Sequence, residues 1–233
     1  MIGIIGAMAQ EVAILKEQLQ NRQLIEHYEH QFYTGQLGEQ EVVVVQSGIG
    51  KVNAAIVVPL LKMLFEVDYI INTGSAGALD SALSIGDVVI AHSLVYHDVD
   101  VTSFGYKYGQ MAGMPEAYYP DSQLQSLAKE ASHHIGIEPY VGMIVSGDQF
   151  VAGAEERQAI LEKLPFARAC EMESTAIAQA CYRFDIPFII IRAISDQADG
   201  QAHLSFDEFL EVASQSSATL VMYLVEQIGT LTK

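Results

Sequence analysis

The chain has only two cysteines, Cys170 and Cys181, in 233 residues. They form no CxxC pair and no disulfide framework, and both sit in apolar surroundings, which reads as buried, unreactive thiols. Basic residues are scarce as well, with 12 Lys and Arg against 29 Asp and Glu and a formal net charge of −17. Such a balance lacks the clustered cations that a nucleic-acid backbone or an anionic membrane requires, so neither is expected as a partner. The charge itself serves solubility. No apolar run reaches membrane-spanning length. The opening Met1-Ile2-Gly3-Ile4-Ile5-Gly6 has neither the basic leader nor the small-residue cleavage site of a secretory signal. A cytoplasmic protein is expected.

Half of the residues are hydrophobic, so a sizeable core is available, and the length suits a single domain over residues 1–233. Short β-branched runs predict strands at Ile2 to Ile5, Gln31 to Gly35, Val42 to Ser47, Tyr69 to Thr73, Asp87 to Tyr96, Tyr140 to Ser146, Arg168 to Glu171 and Pro187 to Ser195. Helical patterns cover Gln10 to Leu19, Lys51 to Phe65, Asp121 to His134, Ala154 to Leu164, Ser174 to Phe184 and Phe206 to Gln227. Ser205, with Glu208 three residues on, is the expected cap of the last helix. Val42 to Val45 and Phe188 to Ile191 are apolar at every position, as in strands covered on both faces. The expected fold class is α/β: a three-layer α/β/α arrangement around a central mixed, largely parallel sheet. In such folds ligands gather at the carboxyl ends of strands. The longest irregular stretch, Asp98 to Pro120, is rich in Tyr, Gly and Met, and a loop of that kind covers a site or meets a partner.

Several segments carry candidate chemistry. Gly6-Ala7-Met8-Ala9-Gln10-Glu11 turns from strand to helix and places Glu11 in the first helical turn, where it complements the helix dipole. Asn72-Thr73-Gly74-Ser75-Ala76-Gly77 reads either as a plain turn or as a strand end whose small residues admit a ligand. Ser47-Gly48-Ile49-Gly50-Lys51 fails as a P-loop, since Val45 and Val52 stand where glycine and a hydroxyl residue are needed. It fails as a dinucleotide fingerprint at Asn53. His97-Asp98-Val99-Asp100 has the look of a metal cluster, but no second segment completes it, and a surface turn is the expectation. Glu171-Met172-Glu173 sets two acids at a strand-to-helix junction in apolar surroundings. Such carboxylates either cap the helix or accept hydrogen bonds from a sugar diol. Asp196 closes the apolar strand that begins at Phe188, where α/β folds bind ligands.

In their order along the chain these segments, with Asp100 to Tyr106, Ser146-Gly147-Asp148 and Arg192-Ala193-Ile194-Ser195-Asp196, resemble the bacterial 5′-methylthioadenosine/S-adenosylhomocysteine nucleosidases of the nucleoside phosphorylase superfamily. The resemblance spans nearly the whole chain. It implies a homodimer that hydrolyses the adenine–ribose bond, with a nucleoside as its small-molecule substrate and no cofactor or metal. Carried over by position, Glu11 activates water, which Ser75 and Arg192 help hold, and Asp196 protonates adenine. Glu173 binds the ribose diol with Met172 against the sugar. Phe150 and Val151 hold adenine and Gly77 lines the same pocket. Ile49 and Phe206 line the 5′-thio pocket, joined by Phe104 and Tyr106 of the other subunit. Ala112 stands where some members carry proline.

That chemistry is coherent in itself. Breaking an N-glycosidic bond builds positive charge on the ribose, and adenine leaves only when a ring nitrogen is protonated. Acid and base have to stand far enough apart to admit water, nearby anions stabilise the cation, and the acid's pKa has to be raised by burial or neighbouring carboxylates. Two alternatives stand beside hydrolysis: phosphorolysis and nucleoside binding without turnover. In the resemblance, phosphorolytic relatives commonly carry arginine where this chain has Asn72. The chain holds five arginines, Arg22, Arg157, Arg168, Arg183 and Arg192, and an oxyanion site without a fixed guanidinium is disfavoured.

Overall fold

The structure is a computed structural model that describes residues 1–198 and 202–231, apart from the side chains of 202–205, 207 and 230–231. Its strands are β1 (Ile2–Gly6), β2 (Gln20–His27), β3 (His30–Leu37), β4 (Gln40–Gln46), β5 (Tyr69–Ala78), β6 (Val88–Tyr96), β7 (Tyr140–Ser146), β8 (Ala167–Glu171) and β9 (Phe188–Asp196). Its helices are α1 (Ala9–Gln18), α2 (Lys51–Phe65), α3 (Ser122–His134), α4 (Ala154–Lys163), α5 (Ser174–Phe184) and α6 (Ala202–Leu231). A short 3₁₀ turn spans Thr102–Phe104.

The strands form one mixed sheet in the order β2-β3-β4-β1-β5-β8-β7-β6-β9, and β9 returns to pair with β5. Strands β5, β8, β7, β6 and β9 therefore curl into a closed ring, while β2, β3, β4 and β1 extend from it. Among the described residues five strand pairings are parallel and four antiparallel. The all-apolar runs behave as expected of strands covered on both sides. Val43 and Val45 join the core shared with α2 and α5, and Val42 and Val44 join the opposite core with α1, α3 and α6. In β9, Phe188 and Ile190 face the first layer and Ile189 and Ile191 the second. Among the described residues no helix is long and apolar enough to cross a membrane.

Three expectations are corrected. Gln20–His27 forms strand β2 where the sequence predicts none, because the segment is polar and mostly exposed. It pairs only with β3 and so carries no buried alternation. Strand β5 does not end at Thr73. It runs on to Ala78 with every residue from Ile70 buried, because glycine, serine and alanine let it pass between packed neighbours. Helix α6 begins at Ala202, so the backbone of Ser205 is already helical and does not have the extended cap geometry. The Ser205 side chain lies outside the described residues.

Phe32 fastens the extended arm to the helical layer. It is fully buried, with its ring 5.0 Å from Phe65 at the end of α2. Phe32→Ala should lower the unfolding free energy by about 3–5 kcal/mol, read as an earlier urea midpoint at unchanged slope. A loss under about 1 kcal/mol would mean that the arm is not held by this contact.

Candidate active site

One cavity of about 430 Å³ opens at the carboxyl ends of β1, β5, β8 and β9. Its wall includes Glu11, Ser75, Gly77, Ile49, Phe150, Val151, Met172, Glu173, Asp196 and Phe206, together with Glu171, Gln149, Cys170 and Ser195. Arg192 stands behind it, fully buried. Phe104 and Tyr106 do not reach it, and Phe104 is 82% exposed on the irregular loop.

Glu11 does more than complement its helix. Oε2 accepts from the Ala7 and Met8 amides at 2.7 and 3.0 Å, which caps α1. Oε1 accepts from the Ser75 amide at 2.9 Å and the Ser75 hydroxyl at 3.1 Å. The side chain therefore ties β1 and α1 to β5. This approach needs glycine at position 74, where a Cβ would stand 2.1 Å from Arg192 Nη1 and 2.6 Å from Glu11 Oε1.

The two acids around Met172 have different tasks. Glu171 is saturated: Oε2 accepts from the Glu173 and Ser174 amides, the Ser174 hydroxyl and Arg192 Nη2, the last at 2.6 Å. The Ser146 hydroxyl donates to Oε1. Helix capping is thus the work of Glu171. Burial would raise its carboxyl, but the Arg192 charge, with these hydrogen bonds, outweighs burial and holds it below the ordinary glutamate value. Among the described residues Glu173 accepts only the Gly50 amide, at 2.9 Å on Oε1. Its Oε2 faces the Arg192 guanidinium at 3.8 Å. Burial first, and then the Glu171 charge, pushes Glu173 up to about 8.

Arg192 Nη2 also donates to Asn72 Oδ1 at 2.8 Å and to the Ser174 hydroxyl at 2.9 Å. Asn72 in turn donates to the Ile5 carbonyl at 2.9 Å. Arg192 Nε and Nη1 are buried and have no hydrogen-bond partner among the described residues. At the other end of the cavity Asp196 is 2% exposed. Its Oδ2 accepts from the Ser195 hydroxyl and its Oδ1 from the Ala198 amide, both at 2.9 Å. Phe150 and Phe206 meet edge to face at 5.7 Å.

The two carboxylates of the His97 segment are engaged elsewhere, as expected of a turn: Asp98 bonds Lys51, and Asp100 accepts from the Thr102 amide and hydroxyl in the 3₁₀ turn. Cys170 was read as a buried thiol, and it is one. Burial, followed by the Asp196 charge, pushes it far up. Its place in the cavity wall was not foreseen, because that follows from its pairing with Gly77 across β5 and β8. The places of Gln149 and Ser195 in the wall are likewise not evident from the sequence, since their neighbours come from other elements, whereas the capping alternative for the Glu171–Glu173 pair holds for Glu171.

The sequence profile of the phosphorylase superfamily matches residues 1–226. A 5′-methylthioadenosine/S-adenosylhomocysteine nucleosidase of Staphylococcus epidermidis is 50% identical over 228 residues, 98% of this chain and all of that protein. The nucleosidase of Neisseria meningitidis, solved with methylthio-immucillin-A, superposes with a TM-score of 0.95 at 43% identity, over 97% of this chain and 98% of that one. The S-adenosylhomocysteine nucleosidase of Streptococcus pyogenes, solved with 5-methylthiotubericidin, gives 0.95 at 45% identity, over 97% and 96%. The chain belongs to the phosphorylase superfamily and, within it, to the 5′-methylthioadenosine/S-adenosylhomocysteine nucleosidases.

The Glu173 carboxyl gives a test free of any ligand. Its value in the fold lies above the 4.5 of an ordinary glutamate, so folding favours its protonated form. The stability this confers is complete below about pH 4.5 and is lost as pH rises through the folded value near 8. Glu173→Gln does not titrate. The melting temperature of the wild type minus that of Glu173→Gln should therefore fall steadily between pH 5 and 8. A difference that stays flat would mean that Glu173 is already ionised at the lower pH.

Proposed function

We propose that this protein hydrolyses the adenine–ribose bond of 5′-methylthioadenosine and S-adenosylhomocysteine, and that of 5′-deoxyadenosine, releasing adenine and the corresponding 5-substituted ribose. The observation that carries the reading is the presence of Glu11, Glu173 and Asp196 in the wall of one cavity. In this reading Glu11 takes a proton from water as its oxygen attacks C1′. The C1′–N9 bond breaks and its electrons pass to adenine, which receives a proton from Asp196 at N7. Ser75 and Arg192 hold the water. The buried Nη1, without a hydrogen-bond partner among the described residues and crowding the same point above Gly74 as Glu11, supports that assignment. Glu173, which lines the cavity, accepts the ribose diol, with Met172 against the sugar. Phe150, Val151 and Gly77 hold the base, and Ile49 and Phe206 take the 5′ group.

Water is favoured over phosphate on electrostatic grounds. The Arg192 guanidinium is already paired with Glu171, and Glu11 stands beside it, so a phosphate carrying roughly −1.5 to −2 charges would meet no free cation there and would be repelled where neutral water is not. Adenine release from methylthioadenosine should proceed at the same rate with and without phosphate and should yield free methylthioribose. Release that requires phosphate would make the enzyme a phosphorylase. Asp196→Asn should lower kcat by about 10²–10⁴-fold; near wild-type turnover would remove Asp196 from the acid's role.

The same reading places the protein in the cytoplasm as one domain and pairs it as a homodimer, with Phe104 and Tyr106 completing the neighbour's 5′ pocket. Helices α2 and α5 leave Val52, Ile56, Met63, Tyr182 and Phe184 exposed, and Phe104 stands clear of its own core. Exposed apolar side chains of this kind mark contact surfaces. Sedimentation at micromolar concentration should give a species of twice the chain mass. A monomer would contradict the shared pocket.

A further inference from the structure

Lys51 and Asp148, at the ends of the two glycine-containing motifs Ser47 to Lys51 and Ser146 to Asp148, have no part in the chemistry so far. The fold brings them together. The Lys51 amide donates to Asp148 Oδ1 at 2.8 Å. The Lys51 ammonium donates to Asp98 Oδ2 at 2.6 Å and stands 3.6 Å from Asp148 Oδ2. The Asp148 amide donates to the same Asp98 oxygen at 2.9 Å. Gly147 permits the approach, since a Cβ there would lie 2.4 Å from the buried His97 ring. Burial works to raise the Asp98 carboxyl, but the hydrogen bonds from Lys51 and the Asp148 amide hold it below the ordinary aspartate value. Asp98 therefore stays charged through the neutral range.

Each side of this junction leads to the cavity. Two residues past Asp148 stands Phe150, followed by Val151. One residue before Lys51 the Gly50 amide holds Glu173 Oε1, and before it Ile49 lines the wall. Glu11 and Asp196 are held by other bonds, through Ala7, Met8 and Ser75 and through Ser195 and Ala198. We infer that Lys51, Asp98 and Asp148 form a clasp that sets the distance between the base-holding loop and the ribose-holding turn, and that they are positioning residues for substrate binding. This rests on the nucleosidase reading for what the two sides bind.

The test compares Asp148→Ala with Asp148→Asn, whose remaining Oδ1 still accepts from the Lys51 amide. In Asp148→Ala, KM for methylthioadenosine should rise about tenfold while kcat stays within about threefold, the signature of lost binding common to ground and transition states. Asp148→Asn should recover most of that loss. An unchanged KM, a fall confined to kcat, or an Asn variant no better than Ala would overturn the clasp while leaving the hydrolysis reading in place. Should the wild type release no adenine, the hydrolysis reading fails, and hydrogen exchange of the free protein tests the clasp by itself. Asp148→Ala should then speed exchange of the Gly50, Lys51 and Asp148 amides together, with α1 and β9 unchanged. No acceleration would refute it.

Discussion

The site is built around one buried cation. Arg192 is fully buried, and a guanidinium removed from water costs several kcal/mol unless it is paired and hydrogen-bonded. Its partners come from distant parts of the chain: Glu171 at the end of β8, Ser174 at the start of α5 and Asn72 in β5. Asn72 extends the network to the Ile5 carbonyl of β1. Four strands and a helix are thus held in one relation by the need to satisfy a single charge. Burial alone would lower the Arg192 pKa, yet Glu171, Glu11 and Glu173 more than compensate and keep it protonated. Removing the cation would leave Glu171 buried and unpaired, a change that typically costs about 3–5 kcal/mol.

The same charge explains why two acids separated by one residue behave differently. Glu171 takes the guanidinium, three hydroxyl or amide donors of the α5 terminus and Ser146. Its lone pairs are spent on structure. Glu173 is left with one amide donor and an ionised neighbour. A buried carboxyl with so few donors keeps the capacity to accept further hydrogen bonds. The structural bonds are thereby concentrated on Glu171, and Glu173 retains unused acceptor capacity among the described residues.

Much of this architecture was legible in the residues. The runs Val42 to Val45 and Phe188 to Ile191 announced strands covered on both faces, and the cores on either side of the sheet have that form. The polar edge strand Gln20–His27 was not legible, because a strand paired on one side and exposed on both faces leaves no hydrophobic period to detect. At the site, Glu11 read by itself as a helix-start acid. Its contacts with Ser75 and its place near Arg192 come from chain more than sixty residues away. The ordered motifs named the acids through a resemblance. Cys170, Gln149 and the division between Glu171 and Glu173 depend on strand register and burial, which local sequence does not encode.

Strand β5 links the two ends of the cavity. Gly74 admits Glu11 and Arg192, and Gly77 admits Asp196, whose Oδ1 would lie 2.8 Å from a Cβ added there. The two glycines are three residues apart, about 10 Å along an extended strand. The strand thereby fixes the spacing of the two points at which these carboxyls approach it. Register does the rest. Strands β5 and β9 pair Ala76 with Ile194 and then Gly77 with Asp196, leaving Ser195 as a bulge. A one-residue slip exchanges the faces on which side chains project. Without the bulge Ser195 would stand opposite Gly77 and Asp196 would turn away from the cavity. The bulged Ser195 is itself put to use, since its hydroxyl bonds Asp196 Oδ2. An irregularity in pairing, rather than a loop, therefore delivers the carboxyl at this end of the site, and a regular β9 with the same residues would lose it.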